Sequence, residues 1–393
     1  MTGDGSVPSG VSEGANSGDS GPEAPGSSTP ESPGGPESPD SAESRAPAVS
    51  RPAAGGSPRS PSPGLLDVRR LLKRTFTANE SWTFIVLLIV MACFTILSPG
   101  KFLTTNDFSL ISQGAAPYLV MAVGETFVIL TAGIDLSVGF VLVLSGVVAG
   151  EYYIHNGGTN ASVGTVWLGA IIGLATGGIY GMMQGFAVAK MKIPPLIATL
   201  AGLGIAEGLS YLITGGHDLA TVPNKLASSV GQGSLFGVQW LIVISFLTTL
   251  LFGLILAQTS FGRYTYAIGS NPEAARRVGI HVDRYLILVY GVSGLMAGLA
   301  GVMNLAYFST TTISGHPLDN LTVITAVVLG GASLFGGRGS MLGTFIGVFI
   351  PETLAAGLII AGVNQYWQYI LTGVVLAAAV YLDQFRRRLR ERA

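Results

Sequence analysis

Runs of predominantly apolar residues alternate with short polar segments along the chain from position 82 to position 383. An α-helix needs about 20 mostly apolar residues to cross a bilayer, and most of the runs reach or approach that length. The run at 320–335 is shorter, so we expect a broken or tilted element there. The pattern predicts an all-α polytopic membrane protein with about ten transmembrane helices. The runs occupy residues 82–98, 113–132, 136–154, 164–189, 196–213, 238–258, 286–307, 320–335, 339–360 and 366–383.

The segments that flank these runs are of a different kind. Residues 1–63 contain 38 Gly, Pro or Ser and no Leu, Ile, Phe, Tyr or Trp, with eight acids and three bases. This composition buries too little apolar surface to offset chain entropy, so we expect a disordered cytoplasmic tail. Residues 64–81 include the amphipathic basic sequence LLDVRRLLKR and predict a juxtamembrane segment at the lipid headgroups. Residues 82–383 are the predicted membrane domain, and residues 384–393 are a basic cytoplasmic tail.

Most Lys and Arg residues from position 64 onward lie in four of the segments that connect or flank the runs. The connections at 155–163, 309–319 and 361–365 contain neither residue type. Because basic loops stay in the cytoplasm, ten spans from a cytoplasmic N-terminus place every basic cluster inside and both termini in the cytoplasm. The clusters are Arg69, Arg70, Lys73 and Arg74, then Lys190 and Lys192, then Arg263, Arg276, Arg277 and Arg284, and finally Arg386, Arg387, Arg388, Arg390 and Arg392.

The composition excludes several classes of function. Only 11% of the residues are charged, against about a quarter in soluble domains. The net charge of −1 argues against nucleic-acid binding, which needs a basic surface. The histidines at 155, 217, 281 and 316 form no i, i+4 pair, and Cys93 is the only cysteine, so a metal site is unsupported. Since no catalytic cluster is found either, we do not expect an enzyme.

The 55 glycines carry two signals. Stripes such as 173–181 and 291–301 repeat small residues every three or four positions, which lets helix backbones pack closely in lipid. Other glycines interrupt the runs, and non-helical backbone at membrane depth is tolerated only inside protein or along a wet cavity. Because such breaks often mark substrate paths in transporters, we predict a path or gate at Gly133, Gly330 and Gly331.

Asp135 lies in the first break, within the sequence TFVILTAGIDLSVGF at 126–140. Its carboxylate can cap the following helix by accepting from free N–H groups, and the helix dipole favours the anion there. Together with Ser137 it can also contribute to the path or gate. One carboxylate can do both, and the sequence leaves both interpretations open.

Three further acids, Glu125, Glu207 and Glu352, fall inside apolar runs. A carboxylate in lipid is costly, so each should face protein or water. Proton-coupled carriers use such groups as relays, and the alternative function is therefore an ion- or proton-coupled secondary transporter of a small neutral solute. The runs offer these acids no Lys, Arg or His partner, which weakens the alternative.

The longest cytoplasmic connection, 261–285, has the composition of a short capped helix. Asn271 or Ser270 can cap it, Pro272 suits the first helical position, and Glu273 complements the dipole. We expect this helix to dock onto a soluble protein, with simple surface capping as the alternative. Its other residues are Ala274, Ala275 and Val278 on a small apolar face, the cations Arg276 and Arg277, and Gly279, which can end the helix.

Five stretches resemble the permease subunits of ribose-type ABC sugar importers, a branch that also contains arabinose, galactose and autoinducer-2 permeases. They occur in the family's order across most of residues 80–383, and unrelated membrane proteins rarely carry both GIDLSVG and YAIGSNPEAARRVGI. The stretches are MAVGETFVILTAGIDLSVG (121–139), IPPLIATLAGLGIAEG (193–208), GRYTYAIGSNPEAARRVGI (262–280), YGVSGLMAGLAG (290–301) and ITAVVLGGASLFGGRGS (324–340).

The resemblance implies a translocation path for a ribose-like monosaccharide in a bacterial plasma (inner) membrane. It implies a homo- or heterodimer of permease subunits, two ATPase subunits below it and an extracytoplasmic sugar-binding protein above. The chain has no Gly-Lys pair and hence no phosphate-binding loop, so we expect no cofactor in this chain and ATP in the partner. The coupling helix would comprise Asn271, Pro272, Glu273, Ala274, Ala275, Arg276 and Gly279.

Two regions depart from the resemblance or extend it. Ahead of AVVLGG the family usually carries a Glu-Leu-Asp-like stretch, whereas residues 320–322 here are Asn-Leu-Thr and Asp319 is displaced. An outer-gate role for those acids is therefore open, and so is the identity of the sugar. The connection 214–237, with Asp218 and Lys225, is a candidate docking surface for the binding protein.

Overall fold

The computed structural model describes residues 78–391 apart from 103, 317 and 365. The predicted tail at 1–63 and the predicted juxtamembrane segment up to residue 77 lie outside the described residues. The helices of six or more residues in the described part are α1 Ala78–Leu97, α2 Thr105–Leu130, α3 Val138–His155, α4 Val163–Ala189, α5 Pro195–Thr214, α6 Trp240–Gln258, α7 Ser260–Ser270, α8 Pro272–Arg277, α9 Val282–Phe308, α10 Asp319–Leu329, α11 Met341–Ile360 and α12 Tyr366–Glu391.

Eight of these helices are long and apolar enough to cross a membrane, counted over the described residues. The helix α10 and the apolar part of α12, Tyr369–Tyr381, are shorter. Together they account for all ten apolar runs, which confirms the predicted all-α polytopic fold. The α10 helix has 11 residues and is about 16 Å long, roughly half the hydrocarbon thickness. The predicted short run is therefore a broken element.

The start of α2 shows why an apolar pattern can miss a helix boundary. The apolar run begins at residue 113, whereas the helix begins at Thr105. Thr104 and Asp107 form a capping box, in which the Asp107 backbone N–H donates to the Thr104 hydroxyl and the Asp107 carboxylate accepts from the Thr104 backbone N–H at 3.0 Å. The box satisfies free backbone groups, so the helix extends two polar turns beyond the run.

The predicted glycine stripes pack α4 against α9. A β-carbon on Gly177 would overlap the carbonyl oxygen of Gly294, and one on Gly298 would lie 2.8 Å from the carbonyl oxygen of Gly173. Larger side chains would push the two backbones apart, and close backbone approach is a main source of helix association in lipid. The close-packing interpretation of these stripes is confirmed.

The connections collect at two ends of this membrane unit. At one end, which we call the base-poor end, the Leu219 backbone N–H donates to Thr311 Oγ1 at 2.7 Å, and Gly158 lies against Thr221. At the other end of the same helices, the base-rich end, the bases that follow α4 contact the first turn of α9. Loops with few Lys or Arg residues therefore contact one another at one end, and loops rich in these residues contact one another at the other end. Helices that cross the membrane in alternating directions require this arrangement.

A small hairpin lies at the base-poor end. Strand β1, Ser234–Leu235, pairs antiparallel with β2, Val238–Gln239. The turn residues Phe236 and Gly237 both have positive φ, 52° and 84°, as a type I′ turn demands. Phe236 is 98% exposed, and a bulky residue at positive φ is uncommon. The hairpin therefore presents an aromatic ring to solvent at its tip.

Candidate translocation path and coupling surface

The first break is a tight, buried turn after α2. Helix α2 ends at Leu130, and Ala132, not Gly133, has the left-handed φ of 61°. The reason for Gly133 is space, because a β-carbon there would lie 2.7 Å from the phenolic oxygen of Tyr290. The break is where the sequence predicts it, but its glycine permits close packing against α9 instead of an unusual backbone angle.

Asp135 is the centre of a hydrogen-bond network in this turn. Its Oδ1 accepts from the Ser137 backbone N–H at 3.0 Å and from the Ser137 hydroxyl at 2.6 Å. Its Oδ2 accepts from the Ser293 hydroxyl of α9 at 2.9 Å, and its backbone N–H donates to Glu125 Oε1 at 3.2 Å. The carboxylate thus holds the turn ahead of α3 and ties it to α9, and it does not bond to the N–H groups inside α3.

Three other helices hold the same turn through one side-chain hydrogen bond each. In two of these bonds the side chain donates to a backbone carbonyl group of the turn. A buried carbonyl group without a hydrogen-bond partner would be costly. The turn is therefore fixed to α4, α5 and α10 as well as to α9. The bonds run from Gln184 Nε2 to Ser137 Oγ (2.7 Å), from Thr199 Oγ1 to the Ile134 carbonyl (3.1 Å) and from Asn320 Nδ2 to the Leu136 carbonyl (3.0 Å).

Some buried polar atoms around the turn lack a hydrogen-bond partner among the described residues: Glu125 Oε2, Gln184 Oε1 and Tyr290 Oη. The amide oxygen of Gln184 can only accept, so one donor is missing from the network at that point. Glu125 is one of the three acids that the sequence offered as possible proton relays. The structure makes it the acceptor for the backbone N–H of Asp135.

The second break, the loop 330–340 between α10 and α11, lies beside the first. Gly330 permits close approach, because a β-carbon there would lie 2.5 Å from the backbone of α11. Gly331 instead has a left-handed φ of 92°. The Gly337 backbone N–H donates to the Leu130 carbonyl at 2.9 Å. The two predicted breaks therefore contact each other at the C-terminus of α2.

Helix α7 brings the predicted coupling segment to the same place. A β-carbon on Gly269 would overlap the Leu130 carbonyl oxygen and would lie 2.7 Å from the Gly337 backbone nitrogen. Only Ser270 and Asn271 separate this contact from α8. Three predicted regions of the sequence thus meet at one point.

The predicted coupling helix is present as α8. Asn271 and not Ser270 caps it, because Asn271 Oδ1 accepts from the backbone N–H groups of Glu273 and Ala274, both at 3.0 Å. The helix begins on a proline at its first position. Gly279, with a φ of 87°, follows its end. Each predicted helix signal therefore has the local role expected of it.

The small apolar face of α8 is divided between this chain and solvent. Ala275 is buried against Ile268 and Val282. Val278, just beyond the helix, is 77% exposed. One side of the segment is therefore anchored to the membrane unit, while the other leaves an apolar side chain, flanked by charge, exposed to solvent.

Three cations converge on the carboxylate of Asp283, in the first turn of α9. Lys190, Lys192 and Arg276 lie 3.1, 3.3 and 3.1 Å from it. The cluster links α8 to the turn between α4 and α5. Sequence reasoning counted these bases for orientation and missed the acid that gathers them, because the residues are far apart along the chain.

A cavity of about 340 Å³ lies between the first break and the base-poor end. Sequence reasoning did not predict it, since its wall is assembled from α2, α6, α9, α10 and the segment before α10. Below it α2 is buried continuously from Leu119 to Leu130, so this wall segment is packed on all sides between the cavity and the base-rich end. Its polar and aromatic lining residues include Gln113, Tyr118, Asn304, Tyr307, Phe308, Thr312, His316 and Asp319.

Asp319 connects this cavity to the break. Its Oδ1 accepts from the Tyr118 hydroxyl at 3.0 Å, and its Oδ2 lies 2.5 Å from His316 Nδ1. The other ring nitrogen of His316 lies 2.6 Å from the Thr312 hydroxyl. The next residue, Asn320, holds the break turn. The stretch that departs from the family resemblance therefore joins the cavity to the break.

The two other intramembrane acids lie apart from the break. Glu352 lies against the cavity wall, with Oε2 2.8 Å from the position of a β-carbon on Gly114. Glu207 lies on a partly exposed face of α5. The three acids singled out by the sequence therefore occupy three separate places and form no continuous relay among the described residues.

Residues 109–380 match a family described as branched-chain amino acid transport system / permease component. The chain belongs to this permease family. The permease is 36% identical to the fructose import permease protein of Rhizobium meliloti over 312 residues, 78% of this chain and 85% of that protein. It is 38% identical to the ribose import permease protein of Escherichia coli K12 over 317 residues, 77% of this chain and 93% of that protein.

The D-allose transport system permease protein of Escherichia coli K12 is 32% identical over 317 residues, 79% of this permease and 95% of that protein. The family match begins inside α2 and ends inside α12, so it includes both breaks, the cavity and α8. The resemblance to ribose-type permeases is confirmed. Membership in a family of permease components favours a transporter subunit over a self-contained proton-coupled carrier.

Proposed function

We propose that this permease is the membrane-spanning subunit of an ABC importer for a monosaccharide of the ribose, fructose or allose type. The family match supports the subunit type, and the names of the relatives support the substrate class. Since the sequence contains no phosphate-binding loop, ATP is bound and hydrolysed by a partner subunit, and this chain is not an enzyme.

The observation that carries the proposal is the contact of the coupling segment with both breaks. An ATPase that moves α8 would move Gly269, which is wedged between the Leu130 carbonyl and the Gly337 nitrogen. The turn around Asp135 starts a few residues after Leu130 and would shift with it. Closure of the ATPase pair can thereby open or close the path from below, as alternating access requires.

The orientation follows from the distribution of bases. Basic loops remain in the cytoplasm, so the base-rich end and both termini lie there, and the base-poor end is extracytoplasmic. The solute then passes from the cavity, past the turn that holds Gly133, Asp135 and Ser137, to the loop with Gly330 and Gly331. The ionisable groups on this path, Asp135, His316 and Asp319, all have hydrogen-bond partners within the chain, which suits a neutral sugar.

A second permease subunit would cover the exposed face of α5. A β-carbon on Gly204 or Gly208 would meet no atom within 4 Å, unlike the glycines between α4 and α9. Glu207 lies on the same face and forms no hydrogen bond or ion pair with the described residues. A carboxylate on a membrane helix must face protein or water. This face of α5 would therefore contact a partner subunit, and the water beside that subunit, in preference to lipid.

The sugar-binding protein would dock on the connection 214–237. The contact residues differ from those that the sequence suggested. Asp218 accepts from the Ile313 backbone N–H at 2.8 Å, so its role is to hold the loops together. Lys225 and Phe236 are exposed and remain the candidates for contact. The exposed ring of Phe236 supplies the apolar anchor that such an interface needs.

Uptake by a strain lacking the gene tests the proposed function. Restoring the full-length permease should restore uptake of labelled ribose, fructose or allose and leave uptake of leucine unchanged. Restored leucine uptake alone would favour the amino-acid function in the family's name, and uptake that survives loss of the ATPase but stops with the proton gradient would contradict the proposal.

The coupling assignment is tested in the same strain by Glu273→Arg and Gly279→Pro, with Glu151→Arg at the base-poor end as the matched charge control. We expect the first two variants to insert normally and lose uptake while ATP hydrolysis continues. The control should transport like the wild type. Normal uptake in both α8 variants would overturn the coupling assignment.

A further inference from the structure

The cavity between the break and the base-poor end has the chemistry of a binding site. Asn304 is largely buried, and its side-chain amide has no hydrogen-bond partner among the described residues. Gln113 donates to Ser109 at 2.9 Å, which leaves its amide oxygen for another donor. An amide both donates and accepts, so these side chains suit a ligand whose groups also do both.

The charged side chains that line the cavity are already compensated, and Glu352 lies behind Gly114 and outside this lining. Both oxygens of Asp319 have neighbours, the Tyr118 hydroxyl and His316, and His316 also contacts Thr312. A free cation or anion would therefore meet no unpaired opposite charge in this lining. Hydroxyl groups, in contrast, could bond to the amides and to the Thr312 hydroxyl without the desolvation penalty of an ion.

The rim of the cavity adds an aromatic surface. Tyr307 and Phe308 lie edge to face, with ring centroids 4.9 Å apart, and they are 37% and 50% exposed. Sugar rings combine hydroxyl edges with apolar C–H faces, and aromatic rings cover such faces. The volume of about 340 Å³ is at the lower end of the range for small-molecule sites, roughly 300–1,000 Å³, and fits one sugar unit better than two.

We infer that this cavity is a monosaccharide subsite of the permease itself, where the solute pauses after leaving the binding protein and before the break opens. Asn304 and Gln113 would bond to its hydroxyl groups, and Tyr307 would cover its C–H face, while Phe308 lies beside it at the rim. The inference rests on the proposed function for the class of solute. It adds a place in this chain where that solute is recognised.

The single cysteine of the chain makes a direct test possible. In a Cys93→Ala background, Phe308→Cys puts a thiol at the rim, and right-side-out vesicles washed free of soluble binding protein are treated with a membrane-impermeant maleimide. The matched control is Asn156→Cys, exposed at the base-poor end. Ribose, fructose and allose are added at about 10 mM, which slows labelling about tenfold if the Kd is about 1 mM.

We expect the thiol introduced by Phe308→Cys to react and one of the sugars to slow its reaction about tenfold, while the reaction at position 156 is unchanged. Adding Asn304→Leu should leave position 308 reactive but remove the protection. No reaction at position 308, no protection by any of the sugars, equal protection at position 156, or protection by leucine alone would each overturn the inference. If Phe308→Cys fails to insert, Thr312→Cys on the facing wall serves instead.

The uptake experiment distinguishes a failure of the proposed function from a failure of the proposed subsite. If the wild-type permease restores no sugar uptake, the proposed function fails. If it restores uptake but the thiol is not protected, the function stands and the subsite is wrong.

Discussion

The break near the base-rich end and the cavity toward the base-poor end use polar side chains in opposite ways. Around Asp135 the polar groups bind the turn itself to four helices, and glycines let the neighbouring backbones touch. Around Asn304 a polar amide faces open volume and binds no described residue. The difference indicates that the turn around Asp135 moves, if it moves, as one rigid body. The cavity around Asn304 instead has free polar groups for a solute.

The largest effect should come from filling the backbone contact at the base-rich end. In Gly269→Ala, the new β-carbon would overlap the Leu130 carbonyl oxygen and crowd the Gly337 nitrogen. Backbone atoms cannot rotate away, so the overlap can be relieved only by moving α7 away from α2 and from the loop 330–340, and we expect little assembled permease in the membrane.

Gly253→Ala is the matched control, because its β-carbon would lie 3.4 Å from the Met341 side chain, an ordinary contact. The amounts of both variants in the membrane, and their elution by size exclusion in detergent, make the comparison. Equal amounts of the two would show that the meeting point of α7 and the breaks tolerates change and is not a rigid unit.

The next largest effect should come from Asp135→Ala, compared with Asp107→Ala at the opposite end of α2. Asp135 is buried and accepts three hydrogen bonds, whereas Asp107 belongs to a capping box. Asp135→Ala leaves three buried donors without their acceptor, at about 1–3 kcal/mol each, whereas losing a cap costs about 1 kcal/mol. Unfolding of the purified variants in detergent measures both. If Asp107→Ala destabilised the permease more, the break would not be the better-fixed region.

The apolar pattern predicted the ten apolar helices of the described part because lipid imposes a length and a polarity on each span. The capping signals predicted α8, because they all lie within nine consecutive residues. The meeting of Gly269, Leu130 and Gly337 could not be predicted, since these residues come from three separate segments and their contact depends on tertiary packing. The cavity was missed for the same reason: its polar residues look like isolated positions in apolar helices, and only the fold brings Asn304 and Asp319 together.

Smaller effects should separate a positioning role of Glu125 from a proton-carrying role. Glu125→Gln keeps an oxygen for the Asp135 backbone N–H and replaces only Oε2, the oxygen that has no hydrogen-bond partner among the described residues, by an N–H₂ group. We therefore expect sugar uptake close to that of the wild type. Glu125→Ala removes the acceptor and should destabilise the permease by about 1–3 kcal/mol. Loss of uptake in the Gln variant, with normal insertion, would instead indicate that a titrating proton at this position is needed.

The smallest effect on stability should come from Asp283→Asn, although Asp283 has more charged neighbours than any group of the break. Lys190, Lys192 and Arg276 are about half exposed or more, and exposed ion pairs contribute about 0–1 kcal/mol. Salt also screens them, so the difference from the wild type should shrink as ionic strength rises, whereas that of Asp135→Ala should not. Unfolding in detergent at low and high salt checks this. A loss of several kcal/mol would mean that this end of the permease is fixed mainly by its surface charges and only secondarily by the buried turn.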